Sequence, residues 1–385
     1  MTNSPSMRRP DLDWLRVAGI LLLLLYHCGR FFNVNDPWHL KAPELLPVLN
    51  LPMDILHILR MPMLMLIAGA VTAYSLGRRG LGGFAWDRTK RLLLPLLFGM
   101  LVVVPPQVYV EWLDKGRFTG SYWAFWPSVL KGVPYPKGST SWHHLWFVAY
   151  LFVYCLLALP LFAWLERPLG RIFTARLEAF LAKGWTLLLL VAPVLAIRIL
   201  LRDHRETNDL IHDPKGFLFY GYLFVAGHLL GRCPAAWEAM TRLRWAFLGM
   251  ALALIVALLP DGEFPFPFEH IAVWLFSWST LMAVFGFARK AIVVAGPRLT
   301  HLQSIAYPFY ILHQTVILLV GYPLMKPLMN PWVRLGWVTA ISFGTTWLLC
   351  EAIARVTWLR PCFGMGPRPR AAAPRRPAMA QPAEA

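Results

Sequence analysis

Long apolar runs recur along the chain, at residues 17–26, 92–104, 145–162 and 185–195 among others, separated by short polar or basic stretches. They are too apolar, too frequent and too evenly spaced for the buried helices of a soluble domain. At about 17–25 apolar residues per span, the pattern predicts an all-α polytopic membrane bundle of about ten transmembrane helices. These are expected near residues 13–34, 53–76, 90–110, 145–165, 184–201, 216–232, 245–260, 268–288, 303–323 and 334–354. Residues 13–360 then make up the membrane domain, behind an amino-terminal segment, 1–12. Beyond it, residues 361–385 are mostly Pro, Ala, Gly and Arg, with too few large apolar side chains to fold. The first run lacks a small-residue cleavage site after it and reads as a retained helix.

Composition agrees: 57% of the 385 residues are hydrophobic and 15% charged, against roughly 45–50% and 25% in soluble chains. The net charge of +17 does not point to nucleic acid, because the basic residues sit in short blocks between apolar runs rather than along one face. Sorted by side, the loops that share a side with both termini hold about twice as many Lys and Arg as the others, which predicts cytoplasmic termini. Five scattered cysteines with no CxxC or Cys/His spacing indicate neither a disulfide framework nor a metal site. The longest outer loop, about 111–144, is rich in Trp and Tyr, which anchor interfaces and also stack on sugar rings; both readings stay open.

Ionisable residues inside spans are expensive, so each is a candidate for function. Arg16 and His27 lie eleven residues apart in the first helix, roughly three turns and about 16 Å of rise, and so point the same way at different depths. That suits a long ligand with anionic phosphates at one end and a reactive carbonyl at the other, the shape of an acyl-CoA. Arg88 and Arg91 share a face at the inner mouth of the third span, where two guanidiniums can clamp phosphates or simply satisfy the positive-inside rule. His57 and Arg60 share a face near the outer end of the second span; Arg60 needs a carboxylate from another helix, such as Glu111 or Glu269, or a substrate anion. His143 and His144 precede the fourth span, and His313 lies at a depth like that of His27. Glu351 and Arg355 read as an intrahelical ion pair, and His228 as structural.

Asp11-Leu12-Asp13-Trp14-Leu15-Arg16, with ten residues and then His27, resembles the opening signature of the type 3 acyltransferase membrane family. Arg88-Thr89-Lys90-Arg91 followed by Pro95 is similar to its Arg-x-x-Arg element, and His144-Leu145-Trp146-Phe147 to its His-Leu-Trp-Phe segment. The resemblance covers most of residues 11–364. Its nearest look is to the branch that succinylates osmoregulated periplasmic glucans, through His57-Ile58-Leu59-Arg60-Met61, Ile311-Leu312-His313 and residues 351–364, although Met63-Leu64-Met65-Leu66 replaces a Phe-rich run.

The resemblance implies a multi-pass enzyme of the bacterial inner membrane that moves an acyl group from acyl-CoA to a hydroxyl of a periplasmic or envelope glycan, with no tightly bound cofactor. It implies catalytic roles for His27, His144 and His313, with His27 as general base or transient acyl carrier. Arg16, Arg88 and Arg91 would hold the CoA phosphates, and His57 and Arg60 would contact substrate. The rival is a transporter of a glycan or small anion, with the same residues lining a pathway. No internal repeat is visible in its favour.

Overall fold

The computed structural model describes residues 9–367 apart from 36, 77–79, 259–265 and 327–328. Regular structure among them is helical, save one isolated bridge between Pro134 and Thr140. In chain order the main elements are α1 (Pro10–Gly29), α2 (Pro47–Leu76), α3 (Gly80–Asp114), α4 (His143–Leu157), α5 (Leu159–Leu165), α6 (Pro168–Leu181), α7 (Trp185–Leu200), α8 (Pro214–Gly231), α9 (Pro234–Leu258), α10 (Phe268–Ala291), α11 (Pro297–Leu324) and α12 (Pro331–Arg355). Seven are long and apolar enough to cross a bilayer, or nine spans if the bent pairs α4–α5 and α6–α7 each cross once. The polytopic all-α bundle is therefore the observed architecture. Helix α8 corresponds to the expected span at 216–232 but, shorter and richer in Gly and Tyr, falls outside that apolar set.

Several boundaries differ from the pattern, each for a local reason. Helix α1 stops at Gly29 instead of 34, because Asn33, Asn35 and Pro37 favour turns. The chain then tucks inward: the Phe31 and Phe32 carbonyls accept from the Ala42 and Leu46 amides at 2.8 and 2.7 Å, with both rings fully buried. Helix α3 is longer than its apolar run. It contains two π-helical stretches, Thr89–Leu93 and Gly99–Val103, around Pro95 and ahead of Pro105. Proline lacks an N–H and clashes with the carbonyl four residues back, and a widened turn absorbs both defects. Pro160 follows the 47° break between α4 and α5, while Gly184, at φ 89°, makes the 116° turn between α6 and α7.

Helices α2 and α8 pack backbone to backbone. An added Cβ at Gly227 would run into the Leu66 carbonyl, and one at Gly69 into that of Phe224. Such small-residue contacts let membrane helices approach where no hydrophobic force draws them together. The long loop between α3 and α4 is itself folded: Ser121 caps a short helix, Tyr122–Phe125, and Phe125 is buried among Tyr109, Trp112 and Phe118. Trp126 and Trp142 donate to the Leu101 and Asn208 carbonyls, whereas Trp123 remains 80% exposed.

The boundary expected at 361 moves outward. Arg360–Phe363 forms a turn, Phe363 is buried against Phe98, and Arg360 donates to the Gly366 and Ala354 carbonyls. Composition missed this because one aromatic and one arginine suffice to fasten the segment. Residues 1–8 and 368–385 lie outside the described residues.

Candidate active site

Three of the sequence-flagged imidazoles meet in the bundle. The His313 ring, from α11, lies 5.2 Å from that of His27 on α1 and 5.2 Å from that of His144 at the start of α4. Trp38, from the tucked segment after α1, stacks on His27 with centroids 6.0 Å apart and planes at 18°. His313 donates through Nδ1 to the Tyr310 carbonyl at 2.6 Å, which fixes its tautomer and leaves Nε2 as a lone pair. That nitrogen and Nδ1 of His27 are buried with no hydrogen-bond partner among the described residues. A buried nitrogen without a partner costs free energy, which a donor brought to either atom would recover.

His144 differs from the other two. Its Nε2 donates to the Ile311 carbonyl at 2.8 Å and its Nδ1 accepts from Gln107 at 3.3 Å. Both of its nitrogens are thus occupied, and neither is free to transfer a proton in this arrangement. The network continues outward: Gln107 also donates to Thr315 Oγ1 at 2.6 Å, and Gln314 donates to Gln107 Oε1 at 3.1 Å and His39 Nε2 at 3.2 Å. His39 in turn donates to Glu111 through Nδ1. Tyr135 donates to the same carboxylate at 2.7 Å. Burial first, and then the hydrogen bond to Glu111 and its charge, push the Tyr135 phenol above its usual range and keep it a donor.

Next to the imidazoles lies a cavity of about 360 Å³ lined by Arg16, Arg88 and Arg91, the three residues matched to phosphate binding in sequence, and by Arg360. These come from α1, α3 and the turn after α12, so four guanidiniums share one chamber. Tyr307 and Tyr310 are also in its wall. The Tyr310 hydroxyl donates to the His144 carbonyl, and its ring lies 5.8 Å from that of His313. The arginine chamber and the imidazole cluster therefore share a wall. Within it, Arg88 donates to Ser75 Oγ at 3.1 Å and Arg91 pairs with Asp87 at 2.9 Å.

His57 and Arg60 converge on one ring. His57 Nδ1 lies 3.3 Å from the Tyr26 hydroxyl, and the Arg60 guanidinium carbon sits 3.4 Å above the Tyr26 centroid. Tyr26 in turn packs edge-on against His27 at 5.2 Å. Arg60 is 8% exposed, and its Nε and Nη1 are buried without partners. Neither carboxylate considered for it in sequence fills that role: Glu111 is held by His39, Lys115 and Tyr135, and no ion pair joins Arg60 to Glu269 among the described residues.

Of two minor expectations, the Glu351–Arg355 pair is overturned and the structural reading of His228 holds. Glu351 pairs with His301 across helices at 2.7 Å instead of with Arg355. His228 is structural, bonded to Thr72 at 2.9 Å and stacked on Phe162 at 3.9 Å. Sequence reading overlooked Tyr26, Trp38, His39, Gln107, Tyr310, Gln314 and Arg360. The two glutamines carried a usable signal, since an amide inside an apolar run must find a partner; Trp38 and His39 lay in a segment with no pattern at all.

The chain matches no curated protein and no solved structure. Residues 9–351 match the family model of an acyltransferase domain. That stretch includes the imidazole cluster and three of the four cavity arginines, and the chain belongs to the type 3 acyltransferase family, as a multi-pass membrane acyltransferase.

Proposed function

We propose that this acyltransferase transfers an acyl group from a cytoplasmic acyl-CoA to a hydroxyl of a periplasmic or envelope glycan, in the bacterial inner membrane. The observation that carries the proposal is the shared wall between the arginine chamber and the imidazoles. Phosphates need guanidiniums, which bind them through directional, charge-assisted bonds. A thioester needs a base within reach of the attacking hydroxyl. In the cytoplasmic-termini topology, Arg16, Arg88, Arg91 and Arg360 face the compartment that holds CoA, and the imidazoles lie toward the acceptor.

In the step we infer, His27 takes the proton from the acceptor O–H as that oxygen attacks the thioester carbonyl. The C–S bond breaks, and the same proton is returned to the departing thiolate, giving the O-acyl product and CoA thiol. His313, with Nδ1 tied to a carbonyl, presents its Nε2 lone pair beside His27 and helps orient the hydroxyl. His144 holds His313 and the Tyr310 wall in place. Burial keeps water from the thioester.

Arg60, which meets no carboxylate among the described residues, supports a dicarboxylic acyl group, succinyl foremost, whose distal carboxylate would neutralise it, with His57 and Tyr26 beside it. The glycan acceptor rests on the resemblance and on the aromatic loop between α3 and α4, where the exposed Trp123 offers a face to a sugar ring. Purified protein incubated with succinyl-CoA and an envelope glycan tests the proposal. Acyl-CoA consumption matched by one acyl mass gained on the glycan is expected; consumption of no acyl-CoA with any acceptor overturns it.

A further inference from the structure

Three donors that stand far apart in sequence meet at the outer end of the bundle. One nitrogen each of His39 and His143 and one carboxylate oxygen of Glu111 lie within 4.8 Å of one another. His39 comes from the tucked segment after α1, Glu111 from the end of α3 and His143 from the first turn of α4. No spacing rule links them, which is why the sequence indicates no metal site.

The rest of each donor residue is already held in place. Glu111 Oε1 accepts from Lys115 and from Tyr135, each at 2.7 Å, while Oε2 faces His39 Nδ1. His143 Nδ1 lies 2.9 Å from Ser141 Oγ, and its Nε2 is buried with no partner. His39 Nε2 meets Gln314 at 3.2 Å. The His39 and His143 rings are 4.7 Å apart. His143 adopts this position at φ 40°, a conformation rare outside glycine and sustained only where the surroundings over-determine it.

We propose that His39, Glu111 and His143 bind a divalent transition-metal ion, zinc by donor preference. Two imidazoles and a carboxylate make an N/O set that suits zinc, at roughly 2.0–2.2 Å per bond, and disfavours the all-oxygen coordination of magnesium or calcium. Three protein ligands leave a fourth position open to water or to a ligand oxygen. The bonds from Ser141, Tyr135 and Lys115 are the outer contacts that orient metal ligands. Lys115 opposes the cation, but its side chain is 44% exposed and its charge is partly screened by solvent. Binding through His39 Nδ1 moves that ring's proton to Nε2, so Gln314 must turn its oxygen toward His39. Because Gln314 bonds Gln107 and Gln107 bonds His144, the metal would bias the hydrogen bonds that hold the imidazole cluster.

The test uses full-length protein purified in detergent, equilibrated with zinc chloride, desalted and assayed for zinc by mass spectrometry. About one zinc per chain is expected, with at least a roughly tenfold loss in His143→Ala and in Glu111→Gln. His212→Ala, which alters an exposed histidine outside the cluster, should retain the metal. Variants that do not fold leave the wild type to decide: cobalt(II) should give the absorption of a tetrahedral N/O site, and zinc should raise the thermal midpoint reversibly with a chelator. Wild-type protein that retains no zinc after desalting, or folded His143→Ala that retains as much as wild type, overturns the proposal. Neither outcome touches the acyl-transfer reading, since zinc is counted without substrate.

Discussion

Arg60→Gln separates a guanidinium that reads the acyl group from one that merely supports the fold. In the resting protein this side chain stacks on Tyr26 with Cζ 3.4 Å from the ring centroid and leaves Nε and Nη1 buried without partners. The stacking contributes up to about 2 kcal/mol when desolvated, while burying the charge costs several kcal/mol. The burial cost exceeds the stacking gain, so the substitution should leave thermal stability at or above that of wild type. A succinyl carboxylate seated on the free nitrogens would contribute about 1.5–3 kcal/mol through charge-assisted bonds. At about 1.4 kcal/mol per factor of ten, loss of those bonds should lower the succinyl-CoA over acetyl-CoA ratio of kcat/KM roughly ten- to hundredfold. The assay is direct competition between the two donors, read by the masses of the acylated glycan. Wild-type protein that prefers acetyl-CoA, or a folded Arg60→Gln protein that keeps the wild-type ratio, refutes the reasoning. A large fall in melting temperature with no change in ratio would assign Arg60 to the fold.

His27→Ala should abolish transfer with little loss of stability, and turnover above about a tenth of wild type would remove His27 from the chemistry; His144→Gln, which can keep one of the two hydrogen bonds, should cost less. Arg88→Ala and Arg91→Ala should each weaken acyl-CoA binding in calorimetry by about 1.5–3 kcal/mol; affinity should also fall with salt. Unchanged CoA affinity in the double variant would return both arginines to the positive-inside count. Gly227→Ala should destabilise the protein by about 1–3 kcal/mol through overpacking against Leu66, seen as a lower thermal midpoint in detergent, and an unchanged midpoint would contradict the close α2–α8 packing.

The apolar runs alone determined that the chain is an all-α membrane bundle, because the lipid core allows few other ways to satisfy a backbone. The expense of charge inside such runs singled out His27, Arg60 and His313, and the Arg16 to His27 spacing set two depths on one helix face. The sequence did not disclose where α1 would stop, because the turn preference of Asn33, Asn35 and Pro37 competes with two adjacent phenylalanines; once it stops, Trp38 and His39 are carried over the imidazoles. Periodicity within one helix cannot report contacts between helices. Tertiary packing therefore decided that His144 would have both nitrogens occupied while its neighbour His143 turned toward Glu111, that Glu351 would pair with His301, and that Arg360 would close a chamber opened by α1 and α3. That Arg60 meets no carboxylate among the described residues was likewise a tertiary result, since it depends on which helices face α2.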